Sequence, residues 1–164
     1  MSLSPETLQS FAAAMNNGSP QAQALGIETV GFEKDAAILK IAYRPELVGD
    51  PDTGVIAGGV VTTLMDHSCG QAVFAALGEP GTIATLDLRI DYMRAAEPGK
   101  ALFCRAHCYK LTRSVAFVRA SAYDDQVDDP VATAQAAFML DSSAGRGPGA
   151  NLRPPAAPRT DHKS

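Results

Sequence analysis

Residues 58–77 read GGVVTTLMDHSCGQAVFAAL, a run of helical length with Gly-Gly at its start and Gly78 just past its end. Val61, Leu64, Met65, Ser68, Cys69, Ala72, Val73 and Ala76 recur at helical spacing on one wide face, which Val60 and Ala75 extend. A helix apolar around most of its girth has to be covered on most sides. About 20 helical residues span roughly 30 Å, and a curved antiparallel sheet is a structure that can enclose such a length. Asp66 falls off the apolar stripe, on a narrow edge shared with Gly59, Thr62 and Gly70. Small residues one turn either side of that acid leave room for something to approach it.

The flanking segments supply the sheet. Upstream, GIETVGF and AAILKIAY are strand-like runs separated by Glu33-Lys34-Asp35, a hairpin over Ile27 to Tyr43. The loop VGDPDTG (48–54) then leads to the helix. Downstream, TIATLDLRIDYMR alternates: Ala84, Leu86, Leu88, Ile90 and Tyr92 are apolar while Thr85, Asp87, Arg89 and Asp91 are polar, which predicts a strand with one buried face. ALFCRAHCYKL, SVAFVRASAYD and VATAQAAFML follow as further strands, with short turns that favour antiparallel neighbours in a four-stranded meander. The fold class expected is α+β, a long central helix wrapped by a curved antiparallel sheet.

At the N-terminus, Ser4-Pro5-Glu6 reads as a helix start: Ser caps, Pro takes the first turn, and an acid meets the positive end of the dipole. Leu8, Phe11, Ala12 and Met15 form one apolar stripe, and Asn16-Asn17-Gly18 ends it. Residues 142–164 are rich in Pro and Gly and nearly devoid of apolar side chains, which predicts a disordered tail. The organisation expected is an amphipathic helix in 1–19, one domain in 20–141, and the tail.

Composition narrows the function. A chain of 164 residues has room for one ordinary domain. A net charge of -4 and a pI near 5.3 argue against a nucleic-acid-binding surface. No apolar run reaches membrane-spanning length, the N-terminus lacks signal-peptide character, and three cysteines do not pair off, so no membrane and a reducing cytoplasm are the expectations.

The stretch from Gly49 to Ala72, GDPDTGVIAGGVVTTLMDHSCGQA, resembles the hotdog-fold acyl-CoA thioesterases of the phenylacetyl-CoA (PaaI-like) type. Those carry an Asn-Pro loop, a His-Gly-Gly turn and an acid on the helix nine positions after the His; TLDLRIDYMRAA and LTRSVAFVRASAYD are also similar to that family, so that the likeness extends over about residues 20–141. The resemblance implies hydrolysis of an acyl-CoA thioester, with Asp66 as general base or nucleophile. Gly58 would be the backbone donor that polarises the thioester carbonyl, and Thr85 the strand hydroxyl that helps hold water or the leaving group. It further implies that Asp50, Ala57 and Gly59 line the substrate, that Arg113 and Ser114 meet the nucleotide end of coenzyme A, and that Asp66 and Gly58 serve one site from different subunits of a homodimer or homotetramer. No metal or cofactor is expected, coenzyme A being part of the substrate.

The chemistry of these residue types agrees. A carboxylate that keeps its water is ionised at neutral pH, the state that a base or nucleophile needs. Unpaired N–H groups and the dipole at a helix start favour an oxyanion, and Gly permits close approach. Two positions depart from the pattern: Ala57 stands in place of His, and Asp50 in place of Asn. The departures leave three outcomes: a slower enzyme, an altered substrate, or a non-catalytic acyl-CoA-binding domain.

Other constellations fail on geometry. Cys104 and Cys108 fall on one face of a strand while His107 points to the other, so they do not converge on a metal. His67 adjoins Asp66, but consecutive helical side chains diverge by about 100°. The acids Asp124, Asp125, Asp128 and Asp129 lack calcium-loop spacing and read as a solvated hairpin turn.

Overall fold

The computed structural model describes residues 4–79 and 81–140, and the predicted tail lies outside them. Two helices come first, α1 (Pro5–Gly18) and α2 (Pro20–Leu25), followed by the hairpin β1 (Ile27–Glu33) and β2 (Ala36–Ile41). The short strands β3 (Val48–Asp50) and β4 (Val55–Ile56) precede the long helix α3 (Gly58–Leu77). Strands β5 (Ile83–Tyr92), β6 (Leu102–Leu111), β7 (Val115–Tyr123) and β8 (Ala132–Leu140) complete the chain. The helix start expected at Ser4 carries its cap, Ser4 accepting from Thr7 N–H; the short α2 was not expected from the sequence and is capped in the same way by Ser19, which accepts from Ala22 N–H.

Six strands form one antiparallel sheet in the order β1-β2-β6-β7-β8-β5. The expected meander therefore holds for β6 to β8 and fails for β5. That strand pairs with β8 at the far edge, while β6 joins the first hairpin through β2. The segment between Tyr92 and Leu102 carries the chain across the sheet, so β6 joins the first hairpin to the later strands and β5 is left at the far edge.

The core lies between that surface and the helix. Leu64, Met65, Cys69, Ala72 and Val73 of α3 meet Leu39, Ile41, Leu102, Cys104, Ala106, Ala116 and Val118 of the sheet, all fully buried. Cys104 and Cys108 face inward and His107 outward, as strand alternation requires. Burial pushes the Cys104 thiol up to about 12, so it serves as packing and not as a nucleophile.

Curvature comes from β-bulges in β1 between Thr29 and Gly31, in β6 between Cys108 and Lys110, and in β5 between Thr85 and Asp87. The third alters the predicted face of β5. Thr85 sits opposite Phe138 and Leu88 opposite Ala136, both helix-facing positions, with Leu86 as the extra residue. Strict alternation would turn Thr85 away from the helix and Leu86 toward it. The bulge reverses this, and Leu86 is exposed.

The crossing from β5 to β6 is tied down by a buried ion pair. Arg94 donates to both carboxylate oxygens of Asp124 at 2.6 and 3.0 Å, and Glu97 N–H adds a bond of 2.7 Å. One of the acids expected to be solvated is thus buried. The Arg94 bonds, aided by the Glu97 amide, hold the Asp124 carboxyl down at about 2. A carboxyl depressed on folding stabilises the fold above its unfolded value near 3.9 and loses that contribution as pH falls through about 2. Replacing Arg94 by Met should cost about 2 kcal/mol in urea unfolding, because Asp124 is left buried and unpaired while Arg94 itself keeps part of its side chain in water. The variant should also lose less stability than the parent between pH 5 and pH 2, since the depressed carboxyl is the source of that acid sensitivity.

Candidate active site

The entrance to α3 is built by the loop before it. Asp50 Oδ1 accepts from Asp52 N–H at 3.1 Å and Oδ2 from Thr53 Oγ1 at 3.0 Å, while Asp50 O accepts from Gly54 N–H at 2.9 Å. Its carboxylate therefore closes the turn that links β3 to β4. Gly49 passes so near the helix start that a Cβ there would lie 2.9 Å from Ala57 Cα, which only glycine avoids. Ala57 donates its N–H to Leu47 O and accepts at its carbonyl from Val60 N–H, but as the N-cap residue it offers no side-chain bond. The N–H groups of Gly58 and Gly59 lie in the first turn, where a helix has no internal partners for them.

Tyr92, at the end of β5, closes over this entrance. Its hydroxyl donates to Gly58 O at 2.8 Å and lies 2.8 Å from Thr62 Oγ1. Thr62 Oγ1 also reaches Gly58 O at 3.1 Å. Alternation placed Tyr92 among apolar core residues, and nothing local in the sequence marks its hydroxyl as a tie between strand and helix.

Two turns further along, half-buried Asp66 accepts a hydrogen bond at Oδ1 from Thr85 Oγ1 at 3.0 Å. This is the pair that the bulge in β5 makes possible. Thr85 is exposed, so the carboxylate sits at an opening to solvent with one oxygen oriented by the strand. Thr85 thereby acts on the carboxylate and is a positioning residue. Gly58 and Asp66 of one chain are eight residues apart on α3. At about 1.5 Å per residue this is roughly 12 Å along the axis, too far to touch one carbonyl group together.

His67 points away from Asp66, as its place on the helix requires. Its Nε2 lies 2.8 Å from Asn16 Oδ1 on α1, and Gln71 Nε2 donates to the same oxygen at 3.0 Å. Asn16 Nδ2 donates to Thr29 Oγ1, which donates to Gln71 Oε1, closing a ring across α1, β1 and α3. Burial holds His67 below the ordinary imidazole range, with the Asp66 charge opposing. The ring went unread in the sequence because its members are 13 to 55 residues apart. Arg113 and Ser114 lie in the exposed β6–β7 turn, where Ser114 O accepts from Leu140 N–H. That turn borders the strand end that carries Ile83, since Ile83 pairs with Leu140.

A central helix wrapped by a curved antiparallel sheet, with an acid on its uncovered edge, defines a hotdog-fold protein of the thioesterase class. The thioesterase superfamily model matches residues 53–131, which include α3, β5, β6 and β7. A Pseudomonas aeruginosa protein of known structure is 37% identical, covers 80% of this chain and 98% of its own, and superposes with a TM-score of 0.75. The chain belongs to the thioesterase superfamily. It is 27% identical over 134 residues to the medium/long-chain acyl-CoA thioesterase YigI of Escherichia coli K12, a match spanning 74% of this chain and 85% of that protein. The E. coli PaaI protein of the phenylacetic acid degradation operon shares the fold at a TM-score of 0.73 and 17% identity, over 83% of this chain and 94% of its own.

Thr85→Val keeps the strand's shape and removes the hydroxyl that orients Asp66. Turnover of the best thioester substrate should fall about tenfold, the value of one hydrogen bond to a charged group, with KM little changed. Steady-state kinetics reads both.

Proposed function

We propose that the protein hydrolyses an acyl-CoA thioester to a free acid and coenzyme A, with Asp66 as the group that carries the chemistry. The observation behind this reading is the carboxylate of Asp66, half-buried, oriented by Thr85 and open to solvent on the one edge of α3 that the sheet leaves uncovered. Membership of the thioesterase superfamily and the likeness to YigI support the reaction class. In the step envisaged, a water oxygen adds to the thioester carbonyl carbon while Asp66 takes its proton. The C–S bond then breaks, and the sulfur leaves as the thiolate of coenzyme A and is reprotonated. Direct attack by the carboxylate, with water releasing the resulting anhydride, balances equally.

The negative oxygen formed on the carbonyl needs donors, and the first-turn N–H groups of Gly58 and Gly59 have the right polarity. Because the same chain separates them from Asp66 by roughly 12 Å, the reading requires two subunits, with Gly58 and Gly59 of one facing Asp66 of the other. The edge strand β5, which among the described residues pairs only with β8, is the natural place for two copies to join. Ala57 supplies no imidazole, so backbone donors carry the oxyanion without that help. Asp50 shapes the entrance loop, and Arg113 offers a fork suited to a phosphate of coenzyme A. A cytoplasmic location and a dimer or tetramer belong to this same reading; among the described residues, no helix is long and apolar enough to cross a membrane.

Incubation with acetyl-, octanoyl-, palmitoyl- and phenylacetyl-CoA, with a thiol reagent to detect release, tests the reaction. Turnover of at least one is expected. Tight binding without release from any would favour an acyl-CoA-binding protein instead. Asp66→Asn should lower turnover by about 10²–10⁴, the usual worth of a general base, without lowering the melting temperature. The two-subunit site makes a separate prediction. Mixing inactive Asp66→Asn with an inactive variant blocked at the helix entrance, Gly58→Val, should restore activity, because half of the sites in a mixed dimer would then be intact.

A further inference from the structure

We propose that Tyr92 and Thr62 are positioning residues for the oxyanion donor: through the Gly58 carbonyl they fix and polarise the peptide group whose other end is the Gly59 N–H. This rests on the hydrolysis reading and adds to it the side chains that tune the donor. The Gly58 carbonyl and the Gly59 N–H belong to one planar, conjugated peptide group, so a bond made to the oxygen is felt at the hydrogen. Tyr92 Oη lies 2.8 Å from Gly58 O and 2.8 Å from Thr62 Oγ1, and Thr62 Oγ1 lies 3.1 Å from Gly58 O. The two hydroxyls have one hydrogen each for these three contacts, and every arrangement sends at least one of them into Gly58 O.

Backbone satisfaction does not explain the triangle. At the start of a helix it is the N–H groups that lack partners, whereas a first-turn carbonyl accepts from the N–H four residues on, for Gly58 that of Thr62. Two hydroxyls are thus aimed at an oxygen that the helix already serves. At the other end of the same peptide, the Gly59 N–H meets no acceptor among the described residues, and a Cβ on Gly59 would find nothing within 4 Å. A bond accepted by the oxygen strengthens the N–H as a donor, by about 10–30% per bond. Tyr92 comes from β5 and not from the helix, so it also holds the direction of that N–H against a second element, and the donor need not reorient as charge develops on the thioester oxygen. Ala57 brings no polar group to this entrance, so the polarisation comes from behind the peptide. A two-fold joining of two β5 edges in one sheet runs them antiparallel and carries the Tyr92 end of one toward the Thr85 end of the other, as the two-subunit site requires.

Tyr92→Phe is the direct test, because the ring stays and only the hydroxyl goes. With the best thioester substrate, kcat should fall by about five- to tenfold, a fraction of the 10²–10³ that a whole oxyanion donor is worth, with KM little changed. A second readout does not depend on turnover. Gly58-Gly59 is the one Gly-Gly pair in the sequence, so labelling glycine alone with carbonyl 13C and with 15N gives a single doubly labelled peptide. Loss of the bond to its oxygen should move both the Gly58 carbonyl carbon and the Gly59 nitrogen upfield. Thr62→Val removes the other hydroxyl from the same carbonyl and should move both readouts in the same direction by less. A Tyr92→Phe protein with the parent's kcat, or one in which KM alone rises, overturns the proposal and leaves hydrolysis standing. A slower variant whose Gly58–Gly59 resonances stay in place overturns it too, since the loss then arises elsewhere. Should the parent turn over no thioester, the hydrolysis reading falls, and the resonances decide separately whether the two hydroxyls polarise this peptide: a shift upholds that, and none overturns it.

Discussion

The structure depends on the need to bury α3 on nearly all sides. Its second half is inside the protein around almost its whole girth, with even Gln71 removed from solvent. One flat sheet covers one side of a helix. Covering more requires a sheet that curls, and the three β-bulges supply the bends that regular pairing lacks. The helix α1 closes part of the remainder, with Phe11 against Phe74 and Asn16 against His67 and Gln71. What stays open is the edge that carries Thr62 and Asp66, bordered by β5. The candidate site is thus the place where the wrapping ends.

The bulge in β5 serves two ends at once. It turns the strand toward α3, and by adding one residue it exchanges the faces of everything before it relative to everything after it. Thr85 gains Asp66 as a partner, and Leu88 and Ile90 still pack inward. The cost is an exposed Leu86 on an edge strand. An edge with an open row of backbone groups and exposed apolar side chains invites pairing, and a site whose donors and acid lie roughly 12 Å apart in one chain needs just such a partner. Fold and proposed mechanism meet in that strand.

Polar ties between distant segments hold this arrangement in register. Tyr92 fastens the far end of β5 to the first turn of α3, and Thr85 fastens its near end to Asp66. Arg94 and Asp124 then anchor the crossing that carries the chain from the edge strand back across to β6. These contacts stand at both ends of the helix edge that the site occupies, so the position of the edge strand relative to α3 is set by hydrogen bonds as well as by packing.

Much of this was legible in the residues alone. The span of α3, its apolar girth, the hairpin, the later strands and the isolation of Asp66 on a narrow helix edge all follow from periodicity, because side-chain direction in a helix or strand is set by local backbone geometry. The acid and the glycines at the helix entrance could be picked out for the same reason, and the resemblance of that stretch to a known family gave them roles. Tertiary structure alone decided the rest. The placement of β5 beside β8, the bulge that turns Thr85 to Asp66, and the ring of Asn16, Thr29, Gln71 and His67 join residues far apart in the chain. The same holds for Asp124, which reads as one of four solvated acids and is instead buried by an arginine 30 positions away. Local pattern records which way a side chain points from its own element; which element it then meets is settled only when the whole surface of the central helix has to be covered.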